Sequence, residues 1–283
     1  MVLDTAPLPD DALDTIYGRF SRASRKRLNL TYDYEHGAIS AFAALVRLIG
    51  ATRVFDIGAN IGVYSVRVCQ IPSVKSIHAY EPGEGAFDVL SRNAELQADP
   101  AIIDLQNTAV SDVAERSEYA VFGKMAGNNA LLSTMPAAWK AANTVEVETA
   151  RIDDGYDMRG ETFALKLDVE GHELKALLGA REYLSGNKGF LQVESFPGQI
   201  DEVREVVKSM GYRRIFRMKQ DHYFTNIEDT ALVDQMMDIL FDQTAESLAE
   251  AQKLKELRRK TIRDVRTALD TVRFERDPVI PPG

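Results

Sequence analysis

From Arg53 onward, short β-rich runs alternate with stretches whose apolar residues recur every three or four positions. RVFDIG (53–58), SIHAYEP (76–82), IIDLQNTAVS (102–111), TFALKLDVEG (162–171) and GFLQVES (189–195) are predicted as strands. IGVYSVRVCQI (61–71), GAFDVLSRNAELQ (85–97), HELKALLGAREYL (172–184) and QIDEVREVVKSMG (199–211) are predicted as helices. That alternation specifies an α/β fold with parallel strands joined by crossover helices. The rhythm breaks at about 113–154, where EYAVFGK, a Gly-Asn-Asn loop, an Ala-rich piece around Trp139 and the alternating VEVETARID form an insertion. YRRIFRM and DHYFTN, separated by a short polar turn, suit an antiparallel pair at a sheet edge.

The flanks read differently. Residues 1–50 are predicted as an N-terminal helical segment, with Arg19, Arg22, Arg25, Lys26 and Arg27 preceding an apolar run from Ile39 to Ile49. The α/β domain spans 51–230, a helical extension covers 231–277, and 278–283 are expected to fray. Within the extension, Lys253–Arg276 holds nine Lys or Arg against four acids, a net +5. Without a sustained heptad, that helix is expected to pack on its own domain or on a sister subunit, giving a homo-oligomer.

Charge and composition narrow the function. The 283 residues carry 34 Lys+Arg and 43 Asp+Glu, a net −9, so the chain outside the basic stretch carries −14 and repels nucleic acid. The lone Cys69 allows neither an intramolecular disulfide nor a cysteine-based zinc site. The N-terminus is acidic and lacks an apolar h-region, and no run reaches 18 apolar residues, so no signal peptide or membrane span is expected and a cytoplasmic setting fits best.

The strongest local signal is VFDIGANIG (54–62), a strand running into a glycine-rich turn. Gly58 and Gly62 let backbone approach a ligand, and the following helix N-terminus is expected to favour an anion or carboxylate. Glu81, followed by Pro82, stands 23 residues past Gly58, where an acid accepts both ribose hydroxyls of an adenosine-containing ligand. The third glycine of a dinucleotide fingerprint is missing. Asp56, two residues before Gly58, is placed to meet a cationic α-amino group, so the D-x-G-x-N-x-G pattern of Asp56, Gly58, Asn60 and Gly62 favours S-adenosylmethionine over NAD.

A second strand-to-helix element, LKLDVEGHE (165–173), puts Asp168, Glu170, His172 and Glu173 at a strand's carboxyl end, where ligands of open α/β sheets bind. With DIGANIGVYS, the Glu81-Pro82 step, the Ala109-Val110-Ser111-Asp112 turn and LQVES, it resembles the FkbM family of methyltransferases over Arg53–Asn226. The resemblance implies a Rossmann-like class I fold, in which a mostly parallel sheet is flanked by helices. It implies S-adenosylmethionine as cofactor and O-methylation of a carbohydrate or other small-metabolite hydroxyl. It also implies adenine recognition by Ser111 and Asp112.

A base must take the hydroxyl proton, and the candidates are Asp168, Glu170 and His172, the last with an ordinary pKa suited to neutral pH. Glu173 can instead complement a helix dipole, and Glu194 is a further candidate. Asp168, Glu170 and Glu194 could also offer oxygens to Mg²⁺, but the four histidines lack ligand spacing and no metal is assigned. The alternatives are a noncatalytic adenosine-binding or scaffolding protein, a nucleic-acid methyltransferase and an NAD-dependent dehydrogenase.

Overall fold

The computed structural model describes residues 37–122, 129–134, 143–157, 159–196 and 198–249, with 252, 256 and 260 as isolated helical positions. The basic residues Arg19–Arg27, Gly127, Asn128, Trp139, most of the basic C-terminal stretch and the tail lie outside the described residues.

In chain order the elements are α1 (37–49), β1 (Arg53–Ile57), α2 (Val63–Val68), β2 (Ser76–Tyr80), α3 (Glu84–Glu95), β3 (Ile103–Gln106), β4 (Ala109–Val110), β5 (Arg116–Val121) and β6 (Ala130–Leu131). There follow β7 (Asn143–Ala150), the single turn α4 (Ile152–Gly155), β8 (Thr162–Leu167), α5 (Glu173–Leu178), α6 (Arg181–Gly186), β9 (Lys188–Glu194), α7 (Ile200–Ser209), β10 (Arg213–Met218), β11 (Asp221–Thr225) and α8 (230–249).

Seven strands form the main sheet in the order β10-β11-β9-β8-β1-β2-β3. Strands β3, β2, β1, β8 and β9 pair in parallel, and β11 runs antiparallel to both β9 and β10. This is the Rossmann-like doubly wound arrangement with the predicted edge hairpin. Chain order reverses between β1 and β8, and the crevice of such a sheet opens at the carboxyl ends of those two strands.

Alternate residues of each strand face opposite cores. Val54, Ala164, Phe190 and Tyr223 join one cluster with residues of α1, α2, α3 and α8; Phe55, Phe163, Leu165, Leu191 and Phe224 join the other with α5, α6 and α7. Helices α1 and α8, read from sequence as extensions, thus share the core of the sheet. A Cβ on Gly37 of α1 would stand 2.0 Å from Ser247 Oγ of α8, so the two helices pack backbone-close.

Three predicted elements differ. The 102–111 strand divides at Asn107, whose Nδ2 donates to the Glu81 carbonyl, and its second half becomes β4 of a separate four-stranded sheet, β4-β7-β5-β6, built by the insertion. The 172–184 helix breaks into α5 and α6 at Gly179, where the chain passes so near Ser111 that a Cβ would stand 1.9 Å from its carbonyl oxygen. The helix after β1 begins only at Val63, because Gly58, Asn60 and Gly62 all hold positive φ, at 76°, 53° and 84°.

Candidate active site

The turn after β1 is fixed from below. Gly58 is required there: besides its positive φ, a Cβ would stand 1.8 Å from the Asp168 carbonyl oxygen, so the turn and the end of β8 touch backbone to backbone. The Asp168 amide donates to the Ile57 carbonyl at 3.1 Å, continuing that contact. Lys166, 6% exposed, extends its ammonium under the turn, donates to the Gly58 carbonyl at 2.8 Å and lies 3.4 Å from Asp168 Oδ2.

Asp56 departs from its expected role. Its carboxylate is fully buried, accepts from the amide and hydroxyl of Ser65 at 3.0 and 2.6 Å, and stands 4.0 Å from the Lys166 ammonium. It anchors the turn to α2 and is not among the residues that line the cleft. Gly62, expected beside a ligand, packs instead against Leu90, whose Cδ1 a Cβ would meet at 2.5 Å.

The expected anion site at the turn is also absent from the geometry. The amides of Gly58 and Ala59 donate to the Tyr80 carbonyl, that of Asn60 to Glu81 Oε2 at 2.9 Å, and that of Gly62 to the Ala59 carbonyl. Helix α2, six residues long, is too short to add a sizeable dipole.

A cleft opens over this turn at the chain reversal. Gly58, Asn60, Glu81, Pro82, Asp168, Glu170 and His172 line it, so it gathers seven of the eleven residues predicted from sequence. Apolar wall is supplied by Ile57, Ala86, Val110 and Leu131, so apolar surface and a few convergent polar groups meet in one cleft, the character of a small-molecule site. Among the described lining residues three are carboxylates and none is Lys or Arg.

Glu81 is 6% exposed, and its Oε1 also accepts from the Gly83 amide at 2.8 Å. Burial outweighs these bonds and lifts its carboxyl to about 7. Glu170, held at φ 54°, rises to about 7 through burial and then the nearby Asp168 and Glu173 charges. Glu173 does not reach the cleft; its Oε1 accepts from the amides of Val169 and Gly171 at 3.2 and 3.0 Å and shapes the turn that presents Glu170.

His172 differs from a base poised at neutral pH. Burial and then the Lys175 charge pull it down to about 4, and its Nε2 shares a 3.0 Å hydrogen bond with Ser111 Oγ. Ser111 and Asp112, expected at adenine, are not among the residues lining the cleft, which takes Thr108, Ala109 and Val110 from this segment. The Ser111 hydroxyl is 3.1 Å from Asp112 Oδ1.

Two contributors were not singled out in the sequence. Lys166 was hidden as one polar residue inside an apolar strand, although a lysine at such a position signals a buried partner. Tyr119 of β5 feels the charges of both Glu81 and Glu170 and was concealed by its distance along the chain, while Asn129, from the Gly-Asn-Asn loop of the insertion, lines the same wall. Among the described residues, no group of three or more His, Cys, Asp or Glu side chains could hold a metal ion.

Residues 56–214 match the methyltransferase FkbM domain. The methyltransferase sdnD of Sordaria araneosa is 28% identical over 156 residues, which cover 46% of this chain and 60% of the relative. The chain thus spans less than two thirds of that relative's length. A crystal structure of methyltransferase FkbM from Methylobacillus flagellatus aligns at 18% identity with a TM-score of 0.48, covering 76% of this chain and 58% of that one. Magnesium protoporphyrin IX methyltransferase of Synechocystis, solved with bound SAM, aligns at 13% identity and TM-score 0.40, covering 76% of this chain and 88% of that one. Since the family match starts at Asp56, at the foot of the glycine turn, and takes in more than half of the chain, this protein belongs to the FkbM methyltransferase family.

Proposed function

We propose that the protein is an S-adenosylmethionine-dependent O-methyltransferase whose acceptor is a hydroxyl of a carbohydrate or similar small metabolite. The observation that carries this reading is the cleft at the chain reversal, with Glu81, Asp168 and Glu170 in its wall and no Lys or Arg among the described lining residues. A ligand bearing a sulfonium and an ammonium suits such a wall. A dinucleotide pyrophosphate does not, and the amides of Gly58, Ala59, Asn60 and Gly62 in the turn are already engaged.

In this reading Glu81 accepts the ribose hydroxyls, Ile57, Pro82 and Val110 bound the adenosine, and Gly58 permits close approach of the chain. When bound, the cofactor supplies an electrophilic methyl whose transfer leaves a neutral thioether. Glu170, with a carboxyl near 7, takes the proton of the acceptor hydroxyl as its oxygen forms the new bond to carbon. Asp168, fixed by Lys166, orients that hydroxyl, and alignment within a dry cleft does most of the remaining work. His172 serves as a neutral wall residue.

The test is transfer of labelled methyl from S-adenosylmethionine to a panel of hydroxyl acceptors by the wild type and by Glu170→Gln. The reading predicts a labelled ether in the wild type and a rate about 10²–10⁴-fold lower in the variant. Label on nitrogen or carbon, or an undiminished variant, overturns it.

A further inference from the structure

On the face of the sheet covered by α1, α2 and α8, two rows of polar residues cross the strands in register. The inner row is Asp56 on β1, Lys166 on β8, Gln192 on β9 and Tyr223 on β11, each paired with the next. Two residues toward the carboxyl edge on the same face lie Gly58, Asp168, Glu194 and Asp221; Glu194 pairs directly with Asp221, and Asp168 follows the paired Leu167 and Val193. Three carboxylates therefore stand on three neighbouring strands, beginning at the glycine turn and leading away from it.

Beneath them are two unsatisfied polar atoms. Gln192, 1% exposed, donates its Nε2 to Asp221 Oδ1 at 2.8 Å and to the Tyr64 hydroxyl at 2.9 Å, while its Oε1 has no partner. The Tyr223 hydroxyl, on a fully buried residue within the field of Asp221, also has none. Buried polar atoms are rarely left so unless a ligand or water completes them.

The charge pattern gives the sign of that ligand. Burial raises the Glu194 carboxyl to about 8, and the charges of Asp168, Asp221 and Glu170 add to that while the Lys166 ammonium opposes it. A neutral polyol leaves the crowding in place, whereas a cation relieves it.

We propose that the row Asp168–Glu194–Asp221 is the acceptor subsite and that it recognises an ammonium group carried beside the reacting hydroxyl, as in an amino sugar or other amino alcohol. This rests on the methyltransferase reading above. The row starts at the turn against which the methyl donor is placed, so the ammonium sits outward on Glu194 and Asp221 while the neighbouring hydroxyl sits at Asp168 and Glu170.

Saturation-transfer NMR on the full chain tests this, in EDTA and with and without S-adenosylhomocysteine, using glucosamine against glucose, galactosamine against galactose, and N-acetylglucosamine as the uncharged control. The amines are expected to bind at least about tenfold more tightly than their neutral partners. Glu194→Gln and Asp221→Asn should each erase most of that preference while leaving S-adenosylhomocysteine affinity unchanged, which shows that the variants are folded. Equal or tighter binding of the neutral sugars, no binding by either set, or a preference that survives both variants overturns the proposal. Failure of S-adenosylhomocysteine to bind overturns the methyltransferase reading instead, and the amine preference is then read from the ligand-free arm.

Discussion

Glu81 is drawn in two directions, toward neutrality by burial and toward ionisation by the amides of Asn60 and Gly83. Its carboxyl lies near 7, so the proposed acceptance of two ribose hydroxyls would favour the ionised form and release a proton on binding. S-adenosylhomocysteine affinity is therefore predicted to rise with pH up to about 7 and then level, with a calorimetric enthalpy that depends on the buffer. Glu81→Gln should remove the pH dependence and cost about 1–3 kcal/mol of binding; a wild-type affinity flat with pH removes Glu81 from the site.

The same arithmetic applies to stability. The folded-state carboxyls of Glu170 and Glu194 lie above their unfolded value of 4.5, so their contribution is fully present below that value and is lost as pH rises through about 7 to 8. Glu194→Gln should therefore raise Tm relative to the wild type in alkaline buffer and leave it unchanged in acid, as differential scanning calorimetry would read. An equal shift at both ends of the range contradicts this.

At the level of single residues, Glu81, Asp168 and Glu170 gather in one cleft because they stand at or just past strand ends beside the chain reversal, a position legible in the sequence. Asp56, Ser111 and Asp112 do not line that cleft: Asp56 is held by Ser65, and Ser111 by His172 and Asp112, contacts that no sequence spacing announces.

Among elements, the turn joining β1 to α2 carries the most constraint. Three consecutive alternate residues with positive φ and an amide set satisfied internally make it a rigid ledge. Gly58→Ala would press a Cβ onto the Asp168 carbonyl in a backbone conformation costing about 1–3 kcal/mol, and is predicted to abolish cofactor binding by separating the turn from β8. Retained affinity would mean that the two strand ends do not act together.

The strands, the edge hairpin and most helices were legible because their hydrophobic period is local information. The break at Asn107 and the second sheet were not, because they depend on β4 meeting β7 some 40 residues later. Tyr119 and Asn129 reach the cleft only through that pairing.

Over the whole molecule, α1 and α8 are part of the core. Phe42 of α1 is fully buried and packs edge-on against Tyr64 and Phe190 at 5.3 and 5.2 Å between ring centres. Phe42→Ala should destabilise the entire domain by about 3–5 kcal/mol in urea titration, and a loss confined to local helix melting contradicts the shared core. The exposed Met237, Phe241 and Leu248 of α8 leave the predicted oligomer a matter for light scattering.

The central claim is that the acid-lined cleft between β1, β2 and β8 binds a cationic adenosine cofactor. Calorimetric titration of the full chain with S-adenosylmethionine, S-adenosylhomocysteine and NAD tests it most directly. Saturable binding of the first two with none of NAD is predicted; binding of NAD, or of none of the three, contradicts it.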